Sequence, residues 1–430
     1  MGGYICFVYN EHMSLLALDA LLLFILSVPV VMRYRILPVV GTPYWLFGIL
    51  FAVLFVNIVI SLYPRNVGQG TRVLKIKLVL LTVTLMIALG GTMVTAMVDR
   101  SKTAPVYGVH DIILQQEAAI RYLIQGKNPY KETYFGTLLE SWHYAEEGKD
   151  AVNPALYHFV MPPWYLLSAF PFYAAATSVF GFFDGRMPLL FSALGTSILL
   201  YLWFKHKSIA SIAVVITALS PATVDYLIEG RSDVFALFWL LWSLYTLEKK
   251  QYVWSSLLFG LAILSKQTVW LALPFYGMYA WISIKKVMPF FVRVMLPTAI
   301  VLFVLAGPFL LWDYRAFIES TIFYLNGNSI TSYPVSGYGL GMVLREAGVI
   351  QNIHAYYPFI VWQIALSVPV LGIGLWWLWK RTIMSRLFIG YGAFLFVWWW
   401  ASRYFNNSHV GYLSSIFALG ILKDMDEKEA

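Results

Sequence analysis

The sequence has a single cysteine, Cys6, so no disulfide framework can hold it together. Charge is scarce as well. Asp, Glu, Lys and Arg make up 12% of the 430 residues, where a soluble domain usually carries about 25%. There is no HExxH, no cysteine pair and no histidine pair at helical spacing, so no metal site and no cofactor are expected. There is also no Walker loop and no GxGxxG following a strand, which argues against ATP or dinucleotide chemistry. A basic N-terminal region and an A-x-A site are missing, so no cleavable signal peptide is expected. The net charge of +8 would suggest nucleic acid in a soluble protein. Here most Lys and Arg lie in short loops between apolar runs, where they anchor topology, and nucleic acid is not an expected partner.

What the chain does have is apolar length. Sixty per cent of its residues are hydrophobic and the mean hydropathy is +0.70. Runs such as 44–63, 78–97 and 357–379 have almost no charge. Each is long enough to cross a hydrocarbon core of about 30 Å as a helix. Lipid cannot satisfy backbone polar groups, so spanning segments must be helices or a closed barrel, and these runs lack period-2 alternation. The expected fold is all-α: a polytopic membrane protein with about 11–13 transmembrane or re-entrant helices. It divides into an additional helical pair at 1–76, a core at 77–310 and C-terminal helices at 311–430.

Charge asymmetry predicts the orientation. Arg65, Arg72, Lys75 and Lys77 fall in one connection, and Lys205/Lys207, Lys249/Lys250, Lys285/Lys286 and Lys380/Arg381/Arg386 mark later ones. By the positive-inside rule these loops and the tail 423–430 are cytoplasmic, with Arg33 and Arg35 as exceptions outside. Stretches 98–158 and 312–356 and the turn Arg403–His409 then face out. Five of the seven histidines lie there. Two segments fit this count only if they fail to span. One is 159–182, which opens on Met161-Pro162-Pro163 and reads as re-entrant. The other is 252–283, whose arms of about 14 residues reach only about 20 Å. That places Lys266, at the apex, in the outer half of the membrane, where it needs an anionic partner or a water-filled cavity.

Two polar stretches carry the chemistry. Residues 110–125 read as an amphipathic helix suited to the interface, with Ile112, Gln116, Ala119, Ile120, Leu123 and Ile124 on one face. Glu117 and Arg121 are spaced for an i, i+4 ion pair. Gly126 and Asn128-Pro129 end the helix. Residues 225–233 bring Asp225, Glu229, Arg231 and Asp233 to the edge of the membrane, which is costly unless they meet a polar ligand or one another. Asp19, at the edge of the first apolar run, reads as a boundary residue.

The order of His110-Asp111, Gly126-Lys127-Asn128-Pro129-Tyr130, Met161-Pro162-Pro163, Glu229-Gly230-Arg231-Ser232-Asp233 and Gly260 to Lys266 followed by Leu273-Pro274 resembles that of multi-pass GT-C glycosyltransferases. The nearest likeness is to prokaryotic mannosyltransferases that use polyprenyl-phosphate-linked sugars. It covers roughly 75–300. The Pro-Pro motif departs from the usual pattern, because no aromatic residue directly precedes it. The resemblance implies transfer of mannose or another hexose from a polyprenyl or dolichyl phosphate to an acceptor hydroxyl, with inversion, on the extracytoplasmic side of the cell membrane. The acceptor would be a glycolipid, a glycan or a protein, and membrane lipids would surround the chain. Asp111 matches the position of the base. Lys266, Arg403 and Arg231 are the cations available for the donor phosphate. His110, Asp233, Glu229, Tyr130, Arg345 and His409 are candidates for substrate binding. A secondary transporter or flippase for a lipid-linked or anionic substrate, or a non-catalytic assembly subunit, would also be polytopic. A transporter usually shows two related halves, and no internal repeat is evident.

Overall fold

The computed structural model describes residues 15, 17–31, 44–62, 70–103, 105–146, 148–329 and 331–429. Cys6, Arg33, Arg35, Arg65 and Glu147 lie outside them. The elements are almost all helical. They begin with α1 (Ala17–Val31), α2 (Tyr44–Leu62) and α3 (Gly70–Leu85), which runs through a π-helical stretch into α4 (Thr92–Lys102). Next come α5 (Asp111–Ile124), α6 (Pro163–Leu167), α7 (Phe170–Phe180), α8 (Met187–Trp203), α9 (Lys207–Leu219) and α10 (Pro221–Glu229). Then follow α11 (Asp233–Glu248), α12 (Tyr252–Ile263), α13 (Leu273–Ile284) and α14 (Val287–Phe290), which continues through α15 (Leu296–Ile318) to α16 (Tyr324–Asn326). The chain closes with α17 (Leu340–Glu346), α18 (Phe359–Lys380), α19 (Met384–Trp400) and α20 (Asn407–Lys428). Two strand pairs of two residues each are the only sheet among the described residues: β1 (Ala145–Glu146) with β2 (Lys149–Asp150), antiparallel, and β3 (Ser336–Gly337) with β4 (Tyr404–Phe405), parallel.

This is an all-α membrane protein. Among the described residues four helices are long and apolar enough to cross a membrane: Tyr44–Leu62, Arg72–Lys102, Val287–Asn326 and Phe359–Lys380. The bent pair α9–α10 makes five if it counts as one span. Their outward faces carry Phe51, Phe55, Phe303, Leu311, Ile373 and Trp376, all exposed, as a lipid-facing surface requires. Inside, small and hydroxylated residues let helices approach closely. Ser255 and Ser256 of α12 both bond the Tyr276 hydroxyl of α13, at 2.8 and 3.1 Å, and the Phe259 and Tyr276 rings stack 3.9 Å apart.

Breaks in the helices set the shape of the site. Ser220 caps α10 by accepting from the Ala222 N–H, Pro221 occupies the first turn, and α9 and α10 meet at 48°. Gly230 ends α10 at φ +103°, and a Cβ there would lie 2.3 Å from Ile113 Cγ1, so glycine is required for both conformation and space. The α12–α13 segment breaks at Leu264–Lys266, as its short arms predict. Stretch 159–182 becomes two short helices, α6 and α7, of 5 and 11 residues. Neither is long enough to cross on its own.

Three expectations need correction. Helix α5 is a packed core element and not an amphipathic helix on the surface: every residue from Ile113 to Ile120 is buried, Gln115 and Glu117 included. Glu117 does not pair with Arg121. It takes a two-pronged contact from Arg100, at 2.7 and 2.8 Å, and Arg100 also reaches Asp184 at 3.0 Å. Asp184 in turn holds Arg186, so four buried charges balance inside the bundle. Finally, Asp19 is no boundary residue and Lys77 no solvated loop charge. Both are buried and pair with each other, with Ser61 Oγ 2.8 Å from the Lys77 ammonium.

Candidate functional site

The polar segments predicted to share one face do converge. The 106–111 stretch, residues 142–161, the α10–α11 turn, the α12 break, the α16 end and the 404–409 turn together line a cavity of about 510 Å³. At the opposite end, Asp426 of α20 accepts from the Lys205 and His206 amides at 3.0 and 2.9 Å, and Lys423 lies 3.4 Å from Glu248. The tail and the Lys205 loop therefore share the other end of the bundle.

At the cavity, α5 presents Asp111 as its first residue, with His110 as N-cap. Asn153 Nδ2 donates to Asp111 Oδ2 at 3.2 Å, and His110 Nδ1 lies 2.6 Å from Oδ1. The Ile112 N–H also points at His110 Nδ1, at 3.3 Å. One nitrogen cannot both accept there and donate to the carboxylate. The shorter contact, to a charged oxygen, places the proton on Nδ1. Burial pushes the Asp111 carboxyl up, but the His110 ring, the Asn153 amide and the Arg231 charge outweigh it and bring the pKa down to about 2. Asp111 is therefore ionised at neutral pH and able to accept a proton.

In the same cavity, Lys266 Nζ bonds Asp233 Oδ1 at 2.7 Å. Arg231 Nη1 bonds Ser408 Oγ at 3.2 Å, its guanidinium stacks 4.8 Å from the Tyr226 ring, and Nε is 3.8 Å from Glu229 Oε2. Two buried atoms here make no hydrogen bond: Arg231 Nε and Asp233 Oδ2. Aromatic side chains also line the cavity: Trp142, Tyr144, Tyr324, Tyr333 and Tyr404. Tyr333 and Tyr404 are 5.0 Å apart. Such walls suit the apolar face of a sugar ring, and carboxylates suit its hydroxyls.

Of the ten predicted site residues, the cavity is lined by Asp111, His110, Glu229, Arg231, Asp233, Lys266 and His409. Three lie elsewhere. The Tyr130 hydroxyl is buried and donates to the Met161 carbonyl at 2.9 Å, so this ring packs the wall from behind. Arg345 donates to the Gln351 carbonyl on α17's own loop. Arg403, expected as a phosphate cation, is buried and donates to the carbonyls of Tyr333, Ile353 and Ala355 at 2.5, 2.7 and 2.9 Å. Burial lowers its pKa to about 10, which leaves it charged at neutral pH, and it braces the second long loop. Asn153, Tyr144, Tyr324 and Tyr333 were not singled out from sequence. Nothing in an isolated Asn or Tyr distinguishes a site residue from loop filler. Compared with protein-family models, with curated proteins and with solved structures, the chain finds no match.

Proposed function

We propose that this protein is a membrane glycosyltransferase that moves a hexose from a polyprenyl-phosphate donor to an acceptor hydroxyl, with the cavity facing the extracytoplasmic side of the cell membrane. The observation that carries the reading is one cavity that brings the Asp111 carboxylate together with two cations, Lys266 and Arg231. Aromatic rings line the same cavity. In the proposed reaction the acceptor oxygen attacks the anomeric carbon from the face opposite the phosphate. Its proton passes to Asp111, and the carbon–oxygen bond to the phosphate breaks with its electron pair moving to the lipid phosphate. The hydroxyl becomes a competent nucleophile only as a base accepts its proton. Lys266 and Arg231 stabilise the charge that develops on the departing phosphate.

The test is an in vitro transfer assay over a panel of polyprenyl-phosphate sugars and lipid acceptors. Asp111→Asn keeps the size and loses the base, and is expected to slow transfer by about 10²–10⁴-fold with donor binding retained. Transfer at the wild-type rate would remove Asp111 from the mechanism. Orientation is tested separately in a Cys6→Ser background. Cysteine at the exposed positions Val152 or Tyr338 should react with an impermeant thiol reagent in intact cells, and cysteine at Lys250 should not.

A further inference from the structure

Four charges form the cationic pole, and they cancel: Lys266 and Arg231 against Asp233 and Glu229. A phosphate that binds these cations must therefore compete with the carboxylates for them. Lys266 already pairs with Asp233 at 2.7 Å, and both side chains are mostly buried, at 18% and 14% exposure. An anion arriving beside Lys266 would sit against the Asp233 carboxylate, leaving one negative charge uncompensated in a poorly solvated place. Uncompensated buried charge costs several kcal/mol, and the usual escape is protonation.

We propose that Asp233 is an internal counterion of Lys266, and that an entering phosphodiester displaces it from the ammonium and drives it to take up one proton. The inference rests on the reading of this cavity as one that takes a lipid phosphate. The proton comes from solvent and ends on a carboxyl oxygen, which converts the carboxylate to the neutral acid, and no other bond changes. Oδ2 is the oxygen placed to receive it, since it is buried and makes no hydrogen bond. A crevice of about 30 Å³ beside it, lined by Arg231, Ser408 and Tyr412 among others, has room for about one water to serve the new O–H group. The position is also favourable to the incoming anion. Asp233 stands in the first turn of α11, where the helix N-terminus attracts negative charge.

The groups whose fields meet the Asp233 carboxylate come from every side of it. Lys266 follows α12, Arg231 and Glu229 flank the α10–α11 turn, and Tyr165 belongs to α6. Tyr391 belongs to α19, Tyr404 to the turn before α20, and His409 and Tyr412 to α20 itself. The tyrosines stay neutral near pH 7. Of this set, Asp233 is the carboxylate in direct contact with the cation that a phosphate would approach.

The experiment is titration calorimetry on the full-length protein in detergent, with a citronellyl hexosyl phosphodiester as probe. Its single charge does not change between pH 5 and 8. Measurement in buffers of different ionisation enthalpy reports protons taken up on binding. Wild type is expected to take up a proton as it binds and to lose affinity as pH rises. Asp233→Asn is expected to bind at least about tenfold tighter, the ratio equivalent to one pKa unit of coupling, and to take up none. Equal or weaker binding by Asp233→Asn, with binding still lost in Lys266→Met, would overturn the counterion and leave the phosphate pole standing. If Lys266→Met and Arg231→Met both bind the probe as wild type does, the phosphate reading itself fails and takes this inference with it. Should Asp233→Asn fail to fold, the wild-type proton count decides alone: zero uptake from pH 5 to 8 overturns the proposal.

Discussion

Asn153 donates to Oδ2 of Asp111 at 3.2 Å across 42 residues of sequence, while its own Oδ1 accepts from the Ala155 N–H at 2.9 Å. The second bond fixes the amide orientation, so Asn153 positions Asp111 and holds its charged form. Removing this donor costs the carboxylate about 1.5 kcal/mol, or about one pKa unit. Asn153→Ala is therefore expected to move the acid limb of the transfer rate upward by about one pH unit. The direction follows from the sign of the existing shift. Asp111 sits at about 2 in the folded protein against 3.8 ordinarily, so its stabilising contribution is complete above 3.8 and is lost as pH falls towards 2. A pH–rate profile for both proteins checks this. An Asn153→Ala limb that coincides with wild type would leave Asn153 a purely structural cap.

The buried Arg100–Glu117 pair separates two versions of α5. If Glu117 paired with the exposed Arg121, neither residue would matter much, since exposed pairs contribute about 0–1 kcal/mol. With Glu117 enclosed against Arg100 and Asp184, Glu117→Gln breaks a buried network and should cost about 3–5 kcal/mol. Arg121→Ala should change stability by less than about 0.5 kcal/mol. Denaturation of the two variants in detergent makes the comparison, and equal small losses would refute the buried network.

The extent of α5 was legible because its end signals are local: Gly126 and Asn128-Pro129 stop it. The α12 break was legible because arm length is arithmetic, and an apical lysine in a short pair of arms demands a partner. What surrounds α5 was not legible. Arg100 and Asp184 stand 17 and 67 residues from Glu117, and a lone arginine at the end of an apolar run reads as a topology signal. The same blindness hid Lys77, which looks like one more loop cation until α1 folds against it. Lys266 shows the intermediate case. Sequence asked for an anionic partner or a water-filled cavity beside it and offered the donor phosphate, and the structure puts Asp233 there.

Arg403 gives a sharp contrast with Lys266. Its guanidinium fork meets three backbone carbonyls of the 331–356 stretch, so Arg403→Met removes three bonds from a charged donor, each about 1.5–3 kcal/mol. Arg403→Lys should not rescue it, because a single ammonium cannot span three carbonyls set around a planar fork. Thermal stability is expected to fall by about 3 kcal/mol or more in both variants. Full stability with impaired donor binding would instead return Arg403 to the phosphate site.

Gly411 links the packing of α20 to the cationic pole. A Cβ at this position would lie 1.8 Å from the Ala222 carbonyl oxygen of α10, a backbone atom that cannot turn aside. Gly411→Ala must therefore push α20 and α10 apart. Ser408 sits one turn before Gly411 and holds Arg231 at 3.2 Å, and α10 leads directly into the Glu229–Asp233 turn, so the separation is felt at the cavity. Overpacking of this kind costs about 1–3 kcal/mol. The expected outcome is a moderate loss of stability together with weaker donor binding, while a change at an equally apolar but lipid-facing site, such as Val410→Ala, does neither. Thermal unfolding and donor titration on the two variants decide it. If Gly411→Ala lowers stability but binds donor as wild type does, the α10–α20 contact supports the fold without positioning Arg231.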